Sequence, residues 1–508
     1  MWTDLPNNQK QNYQKLITNF ASLSEAFAQK EEDDDSIVAP IVNSKFQETA
    51  FQRCFNAFAE DIANTSYDAS IDAGSKKYLI GIKTFGLKSG DQKIAQFKSI
   101  AGSPEWARLI DEMQANAHGL STKAEINRVN HDLYLDMARK ISYVRNERIE
   151  SSKQTLRGFK LGDTPVEAVY HVLMPSSKNE TPKISVGETS YSSVDIDNIK
   201  ITGCTTTKNP QNFTFTDGIH EYKWSATDSQ LSMKFHNTEI VMEQWPVSYV
   251  DDAFTFFANM GQQIKANKKI ESHSWLLNVQ PYSGFNAFMG QPKLARKDNY
   301  RENRIAKVMR DFAASMTDIQ RKQIKYELDQ LLLTSWNTDK AKSQMVELRK
   351  SLIKHVSAVH NPKLTHTIEK MVYRPGDELE LRIPNALEFH RHYPKFFTGH
   401  DVLQPNSNKC IEDKKQRSFK LKFMPSGDEI DAYINQANGK AIESLGKQST
   451  LGKWVLRDVF QLKPYEPLTK RKMIEMGING IRLTKRNDVI ELSFIWIDED
   501  NKPDDLWS

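Results

Sequence analysis

The sequence predicts a multidomain protein of the α+β class, in which helices and mixed or antiparallel sheets occupy separate stretches of the chain. With 508 residues, the chain is too long for a single compact core. Apolar residues recur at helical spacing before residue 155 and again over 301–358, whereas short β-branched and aromatic segments follow residues 165 and 376. These patterns predict an α/β domain over residues 1–300, a helical connector over 301–366 and a β-rich domain over 367–508.

The composition is ordinary for a globular protein without a membrane segment. Hydrophobic residues make up 39% and charged residues 26% of the chain, and the net charge of +4 is only a weak indication of an anionic partner. No apolar run approaches the ~18 residues that span a bilayer, and the polar N-terminus lacks a signal-peptide pattern. The cysteines Cys54, Cys204 and Cys410 show no metal-binding spacing. We therefore expect a cytoplasmic protein with reduced thiols.

The N-terminal part is predicted to begin with helices. Apolar residues at helical spacing predict a helix over residues 8–30, and the acidic run Glu31–Asp35 predicts an exposed loop after it. The next helices are expected over residues 44–63, 92–100 and, as three segments, 104–155.

A pair of strands between these helices carries the first candidate site. Tyr78–Phe85 is apolar on both faces, which predicts a central strand buried on both sides. Lys83 lies in this strand, and a buried lysine needs a carboxylate or a phosphate beside it unless it reaches solvent at the strand end. Ala73–Lys76 is a plausible hairpin turn, so Asp68 on the preceding strand is expected beside Lys83.

A second acid near Asp68 has two candidates. Asp72 shares the strand parity of Asp68, but four residues along a strand span roughly 13 Å, so we interpret Asp72 as a turn residue. Glu48 falls on the apolar stripe of Phe51 and Phe55 in the second predicted helix. A carboxylate facing a core is unusual unless it is paired or binds a metal. The alternative is a helix-start glutamate stabilised by the helix dipole.

This constellation resembles the PD-(D/E)xK nuclease superfamily. A glutamate on a helix, Tyr67-Asp68 on a strand and Ile80–Thr84 on the next strand of a hairpin follow the order of that family's motif. The chain departs from the motif twice, since Tyr67 replaces the proline and Gly81 replaces the second acid. Some members of the superfamily carry that acid on a neighbouring helix, where Glu48 is the candidate here. The glycine would then leave room beside Lys83 for a side chain from elsewhere.

The resemblance implies an α/β/α mixed-sheet nuclease core that hydrolyses phosphodiester bonds with Mg²⁺. It implies catalytic roles for Asp68, Lys83 and Glu48, with Asp68 and Glu48 as metal ligands and Asp72 as the alternative acid. Mg²⁺ prefers oxygen ligands and activates a water, and a lysine can orient that water or steady the phosphate. Gln92 and Gln96, four apart on the next predicted helix, either support the site or are surface residues. The chain lacks a GxxxxGK[ST] loop, so ATP is not expected as a partner.

Residues 370–500 carry a second resemblance, to the specificity domains of certain type II restriction endonucleases. These domains have the pseudobarrel fold of plant B-three DNA-binding domains. The strongest matching segments are a predicted helix, LGKWVLRDVF at residues 451–460, and a predicted hairpin, GINGIRLTKRNDVIELSF at residues 477–494. The resemblance implies a β-barrel-like domain that recognises double-stranded DNA.

Basic residues in loops and at strand ends of this domain are candidates for DNA contacts, because a polycationic curved sheet suits a phosphate backbone. Each one alone is also compatible with an ordinary solvated charge. The candidates are Lys414, Arg417, Lys420, Arg457, Lys470, Lys472, Arg482 and Lys485.

The two resemblances together predict a type II restriction endonuclease that is Mg²⁺-dependent and sequence-specific for double-stranded DNA. Cutting both strands usually takes two active sites, so we expect a homodimer, at least on DNA. The alternative is a non-catalytic, sequence-specific DNA-binding protein on a decayed nuclease scaffold, and Gly81 is its main support.

Overall fold

The structure is a computed structural model that describes residues 1–28, 36–58, 67–160, 164–259, 270–280, 282–295, 297, 299–436, 438–446 and 448–508. The predicted acidic loop Glu31–Asp35 and the last part of the helix predicted over residues 44–63 lie outside these residues. The chain forms two compact units. The first unit contains Met1–Lys269 with residues 424–426 and 474–478, and the second contains the remaining residues from Ile270 to Ser508.

The first unit is a mixture of helices and short strands, as predicted. Its helices are α1 (Asn7–Ala21), α2 (Ser44–Phe55), α3 (Lys98–Ala101), α4 (Pro104–Asn116), α5 (Lys123–Arg157) and α6 (Ala253–Asn259). Its strands are β1 (Ala69–Asp72), β2 (Lys77–Thr84), β3 (Gln92–Gln96), β4 (Val166–Pro175), β5 (Lys183–Ser190), β6 (Lys200–Cys204), β7 (Phe213–Thr216), β8 (Glu221–Ser225), β9 (Gln230–Met233) and β10 (Val241–Pro246). Short 3₁₀ helices cover Trp2–Asp4, Ser24–Phe27 and Ile196–Asn198.

These strands form two sheets. The first has the order β1-β2-β4-β5-β10 and is mixed, since β2 and β4 are parallel and the other neighbours are antiparallel. The second has the order β3-β9-β8-β7-β6 and is antiparallel throughout. The prediction of a central buried strand at Tyr78–Phe85 is confirmed, because β2 lies between β1 and β4 and is buried over most of its length.

The mixed sheet lies between two helical layers. Tyr13 of α1 and Phe51 of α2 share a core with Ile80 and Ile82 of β2. Because alternate side chains of a strand point to opposite faces, Gly81 and Lys83 belong to the other face. That face carries Tyr170 of β4, which is buried in the core formed by α5.

Local signals account for several helix boundaries in this unit. The Asn43 side chain accepts a hydrogen bond from the N–H of Phe46 at the start of α2, and Thr122 and Glu125 form a capping box at the start of α5. The three helical segments predicted over residues 104–155 are two helices, α4 and the 35-residue α5.

One predicted helix is wrong over most of its length. Residues 92–96 form the strand β3, and within the predicted segment 92–100 only residues 98–100, the first three of α3, are helical. The strand pairs with β9, which is distant in the sequence, and this tertiary pairing outweighs the local helix-start signal.

The second unit contains a helical region and a large sheet. Its helices are α7 (Tyr300–Asp311), α8 (Asp318–Leu333), α9 (Asp339–Ser357), α10 (Pro362–Val372), α11 (Ala386–His392) and α12 (Gln448–Lys453), with a π-helical stretch at Trp454–Val459. Helix α13 (Lys470–Met476) begins in this unit, and its residues from Ile474 onward belong to the first. Short 3₁₀ helices cover Ala287–Met289, Ala313–Ser315 and Lys415–Arg417. Its strands are β11 (Ser272–Leu276), β12 (Val279–Gln280), β13 (Ser283–Gly284), β14 (Leu381–Arg382), β15 (Ser418–Phe423), β16 (Asp428–Asn435), β17 (Ala441–Ser444), β18 (Gly480–Arg486) and β19 (Val489–Ile495).

The large sheet is a curled half-barrel with the order β11-β18-β19-β15-β16-β17-β14. The predicted C-terminal hairpin is present as β18 and β19, and Asn487 in its turn has a left-handed φ of 54°. Strand β11 pairs with β18, so residues 272–276 join this sheet although they precede residue 300. Helices α7 to α10 bury a core of their own.

Among the described residues, no helix is long and apolar enough to cross a bilayer.

Candidate active site

The β1–β2 hairpin forms as the sequence predicts. The Asp72 carboxylate accepts a hydrogen bond from the N–H of Gly74 at 2.9 Å, and the N–H of Ala73 donates to the carbonyl of Lys76 at 2.9 Å. Gly74 has a φ of 83°, which a side chain disfavours. These contacts support the interpretation of Asp72 as a turn residue, and its carboxylate lies at the turn end of the hairpin.

Asp68 and Lys83 lie together at the opposite end of the hairpin. Asp68 Oδ2 accepts a hydrogen bond from the N–H of Ile82 at 2.6 Å and lies 3.4 Å from Lys83 Nζ. Both side chains are half-buried, with 34% of Asp68 and 27% of Lys83 exposed. The structure therefore brings together the two residues that the motif pairs, and both remain accessible to a ligand.

The space beside Gly81 is filled by an aromatic ring. Gly81 pairs with Tyr170 on the parallel strand β4, and a Cβ on Gly81 would lie 2.7 Å from two carbons of the Tyr170 ring. Tyr191 stacks on Tyr170 with ring centroids 4.2 Å apart, and Lys83 Nζ lies 5.9 Å from the Tyr170 centroid. The side chain that uses the room left by this glycine is therefore Tyr170.

Burial changes the pKa values of Tyr170 and Lys93. Burial raises the pKa of Tyr170 well above its usual value, so its hydroxyl stays protonated at neutral pH. Burial is also the largest cause that lowers the pKa of Lys93, and the charges of Lys98 and Lys83 lower it further. Lys83 thus belongs to a small group of lysines whose charges repel each other.

Glu48 lies on α2, which packs on the sheet face of Ile80 and Ile82. Its carboxylate is 3.2 Å from Lys45 Nζ within the same helix, and 28% of the side chain is exposed. Lys83 projects from the other face of β2. Glu48 as the second acid therefore stays a prediction, and its contact in the structure is with Lys45.

Sequence reasoning missed Gln47, a buried polar residue of α2 that hydrogen-bonds to Thr84 of β2. Gln47 is fully buried, its side-chain oxygen accepts a hydrogen bond from the Thr84 hydroxyl, and its Nε2 atom finds no partner among the described residues. Helical phase contained the signal, because Gln47 lies four residues before Phe51 and eight before Phe55.

Gln92 and Gln96 do not share a helix face, because they lie on β3 of the second sheet. The pairing of β3 with β9 is irregular between Lys93 and Ala95. The Gln92 amide donates to the carbonyl of Gly90 at 2.9 Å, and the Gln96 side chain accepts from Lys93 Nζ at 2.9 Å.

The most deeply buried lysine of the hairpin is Lys77 rather than Lys83. Only 1% of Lys77 is exposed, its Nζ donates to the carbonyl of Leu156 at 3.0 Å, and Asp72 Oδ2 lies 3.6 Å away. These partners give Lys77 a structural role, and they explain how a lysine is tolerated inside the sheet.

No protein-family model matches the chain, and no curated protein matches it in sequence. The two resemblances therefore rest on the motif residues themselves. For the nuclease motif these residues are Asp68, Gly81 and Lys83, and Lys83 Nζ lies 3.4 Å from Asp68 Oδ2.

The fit of this site to Mg²⁺ depends on its oxygen atoms. Within the described ranges, no group of three His, Cys, Asp or Glu side chains could hold a metal ion. Asp68 nevertheless offers an oxygen, since only Oδ2 is hydrogen-bonded in the part of the chain that the structure describes. Mg²⁺ is commonly held by one or two carboxylates together with waters and substrate phosphates. Asp68 fits as one such ligand.

Two of the predicted DNA-contacting residues already form hydrogen bonds with backbone carbonyls of the second unit. Arg417 is buried and donates to the carbonyl of Ile434 at 2.6 Å. Arg457 donates to the carbonyl of Gly376 at 2.7 Å, and 12% of its side chain is exposed. Both guanidinium groups bind backbone carbonyls and have little surface left for a phosphate.

The other six candidates are more accessible. Lys470 is exposed, Lys472 is half-buried, and Lys414 Nζ lies 5.1 Å from the Tyr433 ring centroid. The rest have polar partners: Lys420 with Asp431 at 2.7 Å, Arg482 with Asp505 at 3.0 Å, and Lys485 with the carbonyl of Lys395.

Proposed function

We propose that the protein is a type II restriction endonuclease, a sequence-specific enzyme that hydrolyses double-stranded DNA with Mg²⁺. The observation that carries the proposal is the pairing of Asp68 with Lys83 at one end of the β1–β2 hairpin, with Nζ 3.4 Å from Oδ2. A carboxylate and an ammonium group, both half-buried and both accessible, suit the binding of a phosphodiester and a metal ion.

In this proposal Asp68 is a metal ligand and Lys83 binds the scissile phosphate or the attacking water. When bound, Mg²⁺ supplies Lewis-acid activation of a water and neutralises charge on the phosphate. The N–H of Ile82 holds the Asp68 carboxylate in place at 2.6 Å, which lowers the cost of orienting it for a ligand. Lys83 Nζ lies over the Tyr170 ring, 5.9 Å from its centroid.

The second acid of the proposed site is Glu48 or Asp72. Neither contacts a second carboxylate in the described part of the chain, and each is already paired with a lysine at 3.2 Å and 3.6 Å, respectively. A phosphate oxygen of bound DNA can complete the ligand set of a site that has one protein carboxylate.

Recognition of DNA is proposed for the curled half-barrel sheet of the second unit. Exposed lysines such as Lys414 and Lys470 supply positive charge for the phosphate backbone. The proposed enzyme acts as a homodimer on DNA, because each chain carries one Asp68–Lys83 pair and cleavage of both strands needs two.

A specific observation favours a second candidate function, sequence-specific DNA binding without cleavage. The motif's second-acid position is Gly81, and the Tyr170 ring leaves no room there for a carboxylate side chain. A glycine at this position is expected in a nuclease scaffold that has lost metal binding and kept its recognition domain.

One experiment separates the two functions. The full chain is incubated with mixed-sequence DNA, with Mg²⁺ or with a chelator, and the products are separated by size. Discrete fragments that form only with Mg²⁺, and that are absent for Asp68→Asn, support the endonuclease. Sequence-selective binding without fragments over a range of metal and enzyme concentrations supports the second function. A parallel panel of single-stranded DNA and RNA identifies a nuclease of another specificity.

A further inference from the structure

A cavity in the second unit combines aromatic rings with positive charge. It has a volume of about 560 Å³ and lies beside the first residue of α7 and the last residues of α10. The polar and aromatic side chains that line it are Lys293, Tyr300, Lys370, Tyr373, Arg374 and Tyr465. Its volume lies within the range of roughly 300–1,000 Å³ that small-molecule sites occupy.

The charge of this cavity is positive. Glu378 Oε1 accepts from both Lys293 Nζ, at 2.9 Å, and Arg374 Nη2, at 2.6 Å, so one carboxylate serves two cations. Lys370 is exposed and makes no ion pair among the described residues. The cavity therefore favours an anionic ligand.

Hydrogen bonds at this cavity are incomplete. Arg374 Nε and Glu378 Oε2 are buried atoms without a hydrogen-bond partner in the part of the chain that the structure describes. Buried polar atoms are normally paired, so the unpaired donor of Arg374, which lines the cavity, points to a missing acceptor.

The aromatic lining consists of three tyrosines, two of which stack on each other. Tyr465 has a φ of 61°, a left-handed conformation that bulky residues rarely adopt. This conformation accompanies a stack on Tyr373, with centroids 4.5 Å apart and planes 14° from parallel. Tyr300 is 44% exposed and makes no ring contact among the described residues, so a face of this ring is available for stacking. Backbone strain of this kind is concentrated at ligand sites.

We propose that this cavity binds a nucleotide, with the base stacked on Tyr300 and the phosphate held by Lys370 and Arg374. A planar base matches an aromatic lining, and a phosphate matches a cluster of lysine and arginine. The nucleotide has two possible sources, a free mononucleotide or a nucleotide rotated out of a bound DNA strand. The assignment rests on the second unit alone and does not depend on nuclease activity.

The first test is a binding titration of the full chain by calorimetry. Deoxynucleoside monophosphates are the ligands, and the matching nucleosides and inorganic phosphate are the partial ligands. A dissociation constant of about 1 mM or tighter is expected for the nucleotide, with each partial ligand at least about tenfold weaker because it loses one of the two contacts. No saturable binding of nucleotides, or equal binding of inorganic phosphate, overturns the proposal.

Substitutions of residues that line the cavity test whether the nucleotide binds there. Tyr300→Ala and Lys370→Gln are each expected to weaken nucleotide binding about tenfold or more without changing the melting temperature. Tyr326→Ala and Lys322→Gln are matched controls, because both residues are exposed on α8 and do not line the cavity. Equal weakening by a control and its matched variant contradicts the assignment.

A second arm distinguishes the two sources. Duplexes with 2-aminopurine at successive positions report a base that leaves the stack by an increase in fluorescence. An increase that Tyr300→Ala removes and Tyr326→Ala retains supports a nucleotide rotated out of DNA. Mononucleotide binding without such an increase supports a free nucleotide. Absence of both signals rules out the nucleotide site.

Discussion

The ring of Tyr170 occupies the place of the side chain that Gly81 lacks. A Cβ at Gly81 would lie 2.7 Å from Cδ1 and Cε1 of Tyr170, closer than real side chains approach each other. Tyr191 stacks on Tyr170 with ring centroids 4.2 Å apart, and its Cε1 would lie 3.4 Å from the same Cβ, so the Tyr170 ring has little freedom to move away. The glycine and the tyrosine are therefore a matched pair across β2 and β4.

This pair predicts that Gly81→Ala destabilises the first unit. Forcing a methyl group into a packed core typically costs about 1–3 kcal/mol, and urea unfolding followed by tryptophan fluorescence measures it. Gly90→Ala is the matched control, since a Cβ there has no atom within 4 Å. The double variant Gly81→Ala/Tyr170→Ala is expected to be less destabilised than the sum of its single changes. Additive effects would show that the two residues do not contact each other.

Asp68 and Lys83 are predicted to be required for cleavage but not for binding. Asp68→Ala and Lys83→Ala are each expected to reduce the DNA cleavage rate about a hundredfold or more, because each removes a group proposed to act on the phosphate. Affinity for specific DNA, measured by gel shift, should change little. Lys76→Ala is the control, because Lys76 is an exposed lysine of the same hairpin, paired with Glu167 at 2.6 Å. A fully active Lys83→Ala protein would contradict the proposed site.

Glu48 is predicted to be the second acid, so Glu48→Ala should also abolish Mg²⁺-dependent cleavage. The readout is cleavage over a Mg²⁺ titration, since loss of a ligand should raise the concentration required. Lys45→Ala is the control, because it removes the partner of Glu48 at 3.2 Å and leaves the carboxylate in place. Unchanged activity of Glu48→Ala would move the second acid elsewhere, with Asp72 tested next.

Substitutions of basic residues in the second unit are predicted to fall into two groups, those that weaken DNA binding and those that lower stability. Lys470→Ala and Lys414→Ala should weaken DNA binding and lower the slope of log affinity against log salt by about 1 each, with unchanged stability. Arg457→Ala should instead lower stability by about 1–3 kcal/mol, because its guanidinium donates to the carbonyl of Gly376 at 2.7 Å. Salt-dependent binding and thermal unfolding measure the two effects. A stable Arg457→Ala protein with a lower salt slope would place this arginine on the phosphate backbone.

The burial of His171 predicts that the free energy of unfolding falls in acid. His171 is fully buried between Trp2 and Phe51, and burial lowers its pKa from 6.5 to about 3. Between these two values the unfolded chain binds a proton that the folded protein does not, so stability falls as pH falls, by up to about 1.4 kcal/mol per pH unit. Urea unfolding between pH 7 and about 4 measures the slope. His171→Gln should reduce it, and His118→Gln, at an exposed histidine, should not.

The hairpin with Asp68 and Lys83 could be predicted from the sequence because its determinants are local. Strand alternation, a glycine-containing turn and an aspartate that caps it all act within a few residues. The mixed α+β class and the C-terminal hairpin at Asn487 followed from similar short-range signals. In each case neighbouring residues alone decide which backbone conformation is accessible.

The tertiary structure decided which side chains meet at the site. Residues 92–96 became a strand because β9 pairs with them, and Tyr170 reached Gly81 because β4 runs parallel to β2. On α2, a rotation of about 100° per residue separates buried Gln47 from partly exposed Glu48, and the sheet that α2 packs against determines which of them is covered. Contacts between segments that are distant in the chain depend on packing, and a single sequence carries no local signal for them.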